Sequence, residues 1–277
     1  MRTVISASRR TDLVGFFPAW LAAAVERGSV EVRGPRGRTA TVDLRPESVH
    51  TVVLWSKNFA NLIGNRHGLR RALERYDQLV ALFTITGLGG TPAEPGAPLP
   101  GTALAQLPDL VAVVGDPLRV SVRFDPVLTW REGAAVGSNL PFFETVAEKA
   151  ARLGIRDIRF SFAQWYRKAA RRTRSAGIDL VDPSSAEKID AAARLAEIAR
   201  GHGLRLHACA QPFLAGPGIV RSACIDGRFL TALHPRGERA TAAKDGSQRP
   251  DCGCTRSVDI GSYEQACLHC CVYCYAQ

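Results

Sequence analysis

Val49-His50-Thr51-Val52-Val53-Leu54-Trp55-Ser56-Lys57-Asn58 is a near-continuous apolar run that ends abruptly in three polar residues. A strand apolar along its length is buried on both faces, the condition of a strand inside a parallel sheet covered by helices. Five further runs of this kind lie at 3–8, 79–87, 118–128, 155–162 and 204–210. Between them the spacing predicts helices over 18–27, 60–76, 102–114, 141–153 and 185–200. Pro18 suits a first helical turn, and Gly28, Gly154 and Gly201 suit helix exits. Strand and helix alternating six times predict an α/β fold: a partial TIM-like (βα)6 barrel of parallel strands over residues 1–211, short of the eight units that close such a barrel.

Three segments break the rhythm. Residues 31–48 are basic and punctuated by Gly and Pro, which predicts a hairpin beside the first helix. Residues 87–101 form a Gly/Pro-rich loop placed to act as a lid. From Pro212 the periodicity fades, so 212–277 is read as a cysteine-rich iron-sulfur cap, organised by metal and packed over the carboxyl ends of the strands.

Ligands of parallel α/β folds bind at those carboxyl ends. Here the six exits read Ser8-Arg9-Arg10-Thr11-Asp12, Ser56-Lys57-Asn58, Thr84-Ile85-Thr86-Gly87, Arg123-Phe124-Asp125-Pro126, Ser161-Phe162-Ala163-Gln164 and His207-Ala208-Cys209-Ala210-Gln211. All are polar, which a purely structural domain does not require. Arg9 and Arg10 suit bidentate capture of a carboxylate or phosphate, or else an ion pair with Asp12 or Asp125. Lys57 suits an acidic substrate or a proton transfer, or is a solvated lysine. Asp125 suits a ribose hydroxyl or an amine, or opens a turn before Pro126. Arg9, Arg10, Lys57 and Asp125 are therefore the candidate catalytic residues, with Ser8, Asn58, Arg123 and Tyr273 as candidate cofactor contacts. His207 reads as a core histidine, and Trp55, Trp165 and Tyr166 as packing residues near the pocket.

The last eleven residues, Cys267-Leu268-His269-Cys270-Cys271-Val272-Tyr273-Cys274-Tyr275-Ala276-Gln277, hold a Cys-x3-Cys-x2-Cys run in Cys267, Cys271 and Cys274. Three thiolates hold three irons of a cubane and leave the fourth open, the arrangement that ligates S-adenosylmethionine (SAM) and passes it an electron. A structural zinc site closes with four ligands. Cys209, Cys224, Cys252 and Cys254 make a second set, four thiolates for a further 4Fe-4S cluster or for zinc. Gly253 between the last pair lets the backbone wrap closely. Cys270 is expected to be a spectator.

The chain opens at Met1-Arg2-Thr3-Val4-Ile5 without a charged leader before a long apolar stretch, and no run is long enough to cross a bilayer. It is therefore expected in the cytoplasm, with no membrane partner. In that reducing compartment eight cysteines read as metal ligands rather than disulfides. A hydrophobic content of 46% supplies a sizeable core, and the formal charge of +10 favours an anionic partner.

These residues resemble the bacterial and archaeal family DUF1848, for which no function is established. The resemblance spans almost the whole chain. It rests on Ile5-Ser6-Ala7-Ser8-Arg9-Arg10-Thr11-Asp12, Leu54-Trp55-Ser56-Lys57-Asn58, Arg123-Phe124-Asp125-Pro126, Cys209, Ser222-Ala223-Cys224-Ile225-Asp226-Gly227 and the tail from Lys244-Asp245-Gly246 to Cys271-Val272-Tyr273-Cys274-Tyr275-Ala276. Cys270 stands where the family usually has Gly, and Gln211 where an acidic residue is more usual. A weaker resemblance is to radical SAM enzymes, which typically use a partial barrel of six units. Their cluster cysteines follow the first strand rather than ending the chain, and their Gly-Gly-Glu segment is not found.

The leading reading is a radical-SAM-like enzyme with two 4Fe-4S clusters, cleaving SAM to a 5'-deoxyadenosyl radical that acts on an unknown small-molecule or anionic substrate. An electron donor such as a flavodoxin or ferredoxin is implied. The alternatives are a SAM-independent 4Fe-4S redox or Lewis-acid enzyme, and a basic iron-sulfur protein that binds nucleic acid or senses redox state.

Overall fold

A computed structural model describes residues 1–33, 39–164 and 166–276. Trp165, read above as a packing residue, and positions 34–38 of the expected hairpin lie outside the described residues. The strands are β1 (Thr3–Ala7), β2 (Ser29–Arg33), β3 (Thr39–Asp43), β4 (Val49–Ser56), β5 (Leu79–Thr84), β6 (Val120–Val127), β7 (Thr129–Glu132), β8 (Ala135–Ser138), β9 (Asp157–Phe162), β10 (Asp179–Leu180), β11 (Arg205–Ala208), β12 (Ile219–Arg221) and β13 (Val258–Asp259). The helices are α1 (Leu13–Phe16), α2 (Pro18–Arg27), α3 (Ala60–Ile63), α4 (Leu69–Leu73), α5 (Pro100–Ala105), α6 (Leu107–Val114), α7 (Phe142–Arg152), α8 (Arg167–Ser175), α9 (Ser185–Gly201) and α10 (Gly227–Leu233).

The six long runs are all strands of one sheet, in the order β12-β11-β9-β6-β5-β4-β1-β13. Every neighbouring pair is parallel. The sheet has eight strands rather than the six expected. The extra two, β12 and β13, come from the segment read as a cap, and at three and two residues they are too short to show a period. They are the outer strands of the sheet and do not pair with each other among the described residues. β2 and β3 form the expected hairpin, whereas the small sheet β10-β7-β8 has no counterpart in the expectations.

Side chains alternate across the sheet, as the pleat requires. Ile5, Val52, Leu54, Leu79, Ala81 and Phe83 pack on the helical side. Phe59 meets Phe83 edge-on at 5.0 Å, and Phe124 meets Phe143 of α7 at 5.3 Å. Each such fully buried ring contributes about 1.5–3 kcal/mol. On the other face Val4, Val53, Trp55, Val80 and Leu82 are covered by Ile225, Leu230 and Ala240. The C-terminal segment thus fills one face of the sheet as well as reaching the strand exits.

Two expected helices are divided. The 60–76 run is interrupted where Asn65 and Gly68 take positive φ of 50° and 71°, leaving α3 and α4. The 102–114 run breaks at Gln106, where Pro108 has no amide to continue the first helix, giving α5 and α6. α9 begins with a capping box, Ser184 with Glu187, which stabilises its first turn. Among the described residues no helix is long and apolar enough to cross a membrane.

Candidate functional site

The strand exits surround a cavity of about 290 Å³. Residues after β1, β4, β9 and β11 and those towards the end of β6 line it together with the cysteine tail. Arg9, Arg10, Lys57, Asp125, Ser8, Arg123 and Tyr273 are all in the lining, as are Cys209, Cys224, Cys252, Cys254, Cys267, Cys271 and Cys274. Asn58 is not in the lining; its side-chain oxygen accepts from the Ala60 amide at 3.0 Å at the start of α3.

At the β1 exit, Asp259 of β13 organises the turn. Its carboxylate accepts from Ser6 and Ser8 hydroxyls at 2.8 and 2.7 Å and from the Arg9 amide at 2.7 Å. The Ser8 hydroxyl is therefore committed to joining two strands. Neither arginine pairs with Asp12 or Asp125. The Arg9 guanidinium donates to Ser257 at 3.1 Å and lies 5.3 Å from the Trp55 ring centroid. Arg10 donates to the Gly261 carbonyl at 3.0 Å and faces Tyr263. Arg123 covers the same Trp55 ring at 5.1 Å and pairs with Asp125, which also accepts from Ser161. Burial disfavours the Arg123 charge, but Asp125, Cys224 and Cys209 outweigh it and raise its pKa.

Lys57 is paired with Glu94 at 2.9 Å, a residue that the strand-exit argument does not reach because it belongs to the 87–101 loop. Glu94 is 1% exposed and also accepts from Thr86 at 2.6 Å and from Tyr273. Burial opposes both charges, yet each stabilises the other, so the Lys57 pKa is raised and that of Glu94 lowered. Lys57 thus holds its proton firmly, which argues against its acting as a proton donor near neutral pH.

The 87–101 loop, expected as a lid, is the seat of the tail. Gly96 donates to the His269 carbonyl at 3.1 Å, His269 bonds the Gly96 carbonyl at 3.0 Å, and Val272 donates to Ala93 at 3.1 Å. The other ring nitrogen of His269 meets Asp12 at 2.7 Å. Asp12 further accepts from Ser56 at 2.7 Å and the Lys57 amide at 3.0 Å, so one carboxylate joins the β1 and β4 exits to the tail. Arg172 of α8 donates to the Val272 and Cys274 carbonyls. Glu94, His269 and Arg172 went unassigned from sequence; the only local signal was the position of His269 inside the cysteine motif.

The contacts divide the lining cysteines into two groups. Cys209 and Cys224 have Sγ atoms 3.7 Å apart, and Cys254 contacts both Cys224 and Cys252. The Ile225 amide donates to Cys254 Sγ at 3.4 Å. A Cβ on Gly253 would lie 2.4 Å from the Ser222 carbonyl oxygen, so only glycine permits this approach. Hydrogen bonds from their neighbours lower the Cys209 and Cys254 pKa values, while Cys224 and Cys252 are raised. In the tail, burial pushes Cys267 up to about 11 and Cys271 up to about 12, with Cys274 adding to both. Such thiols ionise near pH 7 only when positive charge binds beside them.

Cys209, Cys224, Cys252, Cys254, Cys271 and Cys274 are in no disulfide. Cys270 is exposed, stands outside the lining and has φ of 51°, a conformation glycine adopts without strain. Gln211 accepts from the Phe162 amide at 2.8 Å and donates to its carbonyl at 3.1 Å, a pairing for which a carboxylate lacks the donor. His207 pairs with Asp157 at 2.9 Å, away from the cavity lining.

Among the described residues no three His, Cys, Asp or Glu side chains converge as a site for a single metal ion. A cubane instead takes one thiolate on each iron, so its ligands stand apart. Arg123 Nε and Trp55 Nε1 are buried with no hydrogen-bond partner among the described residues, Trp55 in the same apolar cluster as Cys224 and Cys254. Both donors suit an acceptor-rich sulfide cluster.

A family model described as a domain of unknown function (DUF1848) matches residues 4–276. No curated protein matches the chain.

Proposed function

Because the chain belongs to the DUF1848 family, whose description carries no activity, we propose from the site itself that it is a radical-SAM-type iron-sulfur enzyme. The observation that carries this reading is the meeting of Cys267, Cys271 and Cys274 with polar strand exits in one cavity, while Cys270 stays outside. On this reading those three thiols hold a 4Fe-4S cluster, and Cys209, Cys224, Cys252 and Cys254 hold a second. The eight-stranded sheet is then an opened barrel, with the cysteine-bearing segment as its iron-sulfur cap. When bound, the three-cysteine cluster supplies one electron to the sulfonium of SAM, releasing methionine and a 5'-deoxyadenosyl radical.

The residues of the chain do the rest. Lys57, held by Glu94, keeps a fixed positive charge near Cys271. Arg9 acts on Cys254, and Arg123 on Cys209 and Cys224, offsetting thiolate charge. Asp12 and His269 anchor the tail to the strand exits. Arg10 and Asp125 border the remaining cavity; Arg10 is assigned to orienting an anionic substrate, and Asp125 to holding a ribose hydroxyl or the amine of SAM.

The test is anaerobic reconstitution followed by dithionite and SAM. Release of 5'-deoxyadenosine and methionine without added substrate is expected, lost in Cys271→Ala and lowered without loss of iron in Asp125→Ala. Fully loaded, reduced protein that neither binds nor cleaves SAM would turn the assignment to a SAM-independent iron-sulfur enzyme.

A further inference from the structure

One strongly charged surface is not used by this reaction. α8 carries Arg167, Lys168, Arg171, Arg172 and Arg174, and no acidic residue occurs from Gln164 to Ile178. Arg172 turns inward to the tail carbonyls. Arg167, Lys168, Arg171 and Arg174 are exposed. These four have no ion-pair partner among the described residues, as is also true of exposed arginines elsewhere such as Arg194 and Arg239; what distinguishes α8 is five basic side chains within nine residues. Arg167, Arg171 and Arg174 follow the i, i+4, i+7 spacing of one helical stripe, about 10 Å long at 1.5 Å per residue.

The stripe begins at the cavity. Tyr166 is the residue just before α8 and lines the cavity mouth. Its ring lies 6.3 Å from that of Tyr275, also in the lining, and the two are 38% and 54% exposed. Arg249 donates to the Tyr166 hydroxyl at 2.8 Å, adding a cation beside the rings. Two partly exposed tyrosine rings next to an unneutralised cationic stripe are what a single-stranded nucleic acid needs: aromatic surface for unpaired bases and a track for its phosphates. A duplex keeps its base faces covered, and an acidic protein has no bases to stack. The +10 charge of the chain acts in the same direction.

We propose that α8 with Tyr166 and Tyr275 is a docking surface for single-stranded nucleic acid, which presents one nucleotide of the strand to the cavity. Naming this strand as the substrate rests on the radical reading above; the binding itself does not.

The experiment is fluorescence anisotropy of a labelled mixed-sequence 20-nucleotide single strand, as DNA and as RNA, with the full reconstituted chain across a salt series. Binding is expected to weaken as salt rises. The triple variant Arg167→Gln, Arg171→Gln, Arg174→Gln should bind at least about tenfold more weakly, with a log–log salt slope shallower by about 2, at roughly 0.7 for each phosphate no longer neutralised. Tyr166→Ala and Tyr275→Ala should each weaken binding about tenfold while leaving the slope unchanged. Arg174→Glu alone, read the same way, serves if the triple variant fails to fold. No binding at about 50 mM salt, binding untouched by these variants, or equal affinity for a duplex or polyglutamate would overturn the surface. SAM cleavage gives the separation: retained cleavage with no strand bound sinks the surface alone, and strand binding without cleavage sinks the reaction alone.

Discussion

Glu94 is the residue on which the buried charge of the cavity wall depends. Lys57 and Glu94 are both deep in the protein, with side chains 12% and 2% exposed, and such a pair is costly to halve. Glu94→Gln leaves the Lys57 ammonium without its counter-ion, and should lower stability in urea unfolding of the metal-free protein by about 3–5 kcal/mol. Adding Lys57→Met should recover most of that loss, since the double variant no longer buries an unpaired charge. A single variant as stable as the parent would mean that the ammonium reaches water.

Among the elements, the junction of β9 and β11 and the seat of the tail make separate predictions. Asp157 of β9 accepts from Arg205 at 2.8 Å and meets His207 at 2.9 Å, both on β11. Burial works to raise its pKa, but the His207 hydrogen bond and the Arg159 charge outweigh it, so the carboxyl lies below its ordinary range. A carboxyl that is harder to protonate folded than unfolded adds stability above the ordinary aspartate pKa of about 3.9, and loses it as pH falls through the folded value. Asp157→Asn should therefore destabilise by about 2 kcal/mol at pH 7. The gap between variant and parent should close as the pH is taken below that range, read from urea midpoints at each pH. At the tail seat, a Cβ on Gly96 would lie 2.0 Å from the Leu268 carbonyl oxygen. Gly96→Ala should thus displace the tail while leaving the sheet intact, seen as faster proteolysis of the C-terminal residues with unchanged far-ultraviolet circular dichroism.

At the scale of the whole molecule, two sets of thiols share one cavity but are held by different parts of the chain. Cys267, Cys271 and Cys274 ride on the tail bound to the 87–101 loop, while Cys209, Cys224, Cys252 and Cys254 are gathered at the exit of β11 and the loops after β12. If each set holds a four-iron cluster, anaerobically prepared protein should contain about eight irons. Cys271→Ala should lose about half of them and Cys252→Ala about the other half, measured as iron and acid-labile sulfide per chain. Loss of all the iron in either variant would mean one shared cluster, and zinc in place of iron would remove the redox chemistry.

The sequence by itself determined the six long strands of a parallel sheet, because a strand buried on both faces must be apolar along its length and that pattern is local. It also determined the polar exits, which the common direction of parallel strands brings to one end of the sheet, and the two sets of cysteine spacings, whose meeting with those exits was left to the tertiary contacts of the tail. It did not reveal β12 and β13, whose three and two residues carry no period and become strands only by pairing with β11 and β1. Nor did it reveal the partners of the exit residues. Asp12 meets His269 across 257 positions, Ser8 meets Asp259 across 251, and Lys57 meets Glu94 through a loop that spacing alone presents as a lid. Each of these polar groups has several acceptors or donors of suitable chemistry in the chain. Which one it takes is decided by where the folded backbone sets them within about 3 Å of each other, because a buried hydrogen bond or ion pair is short-ranged and an unpaired group costs free energy that only the tertiary structure can relieve.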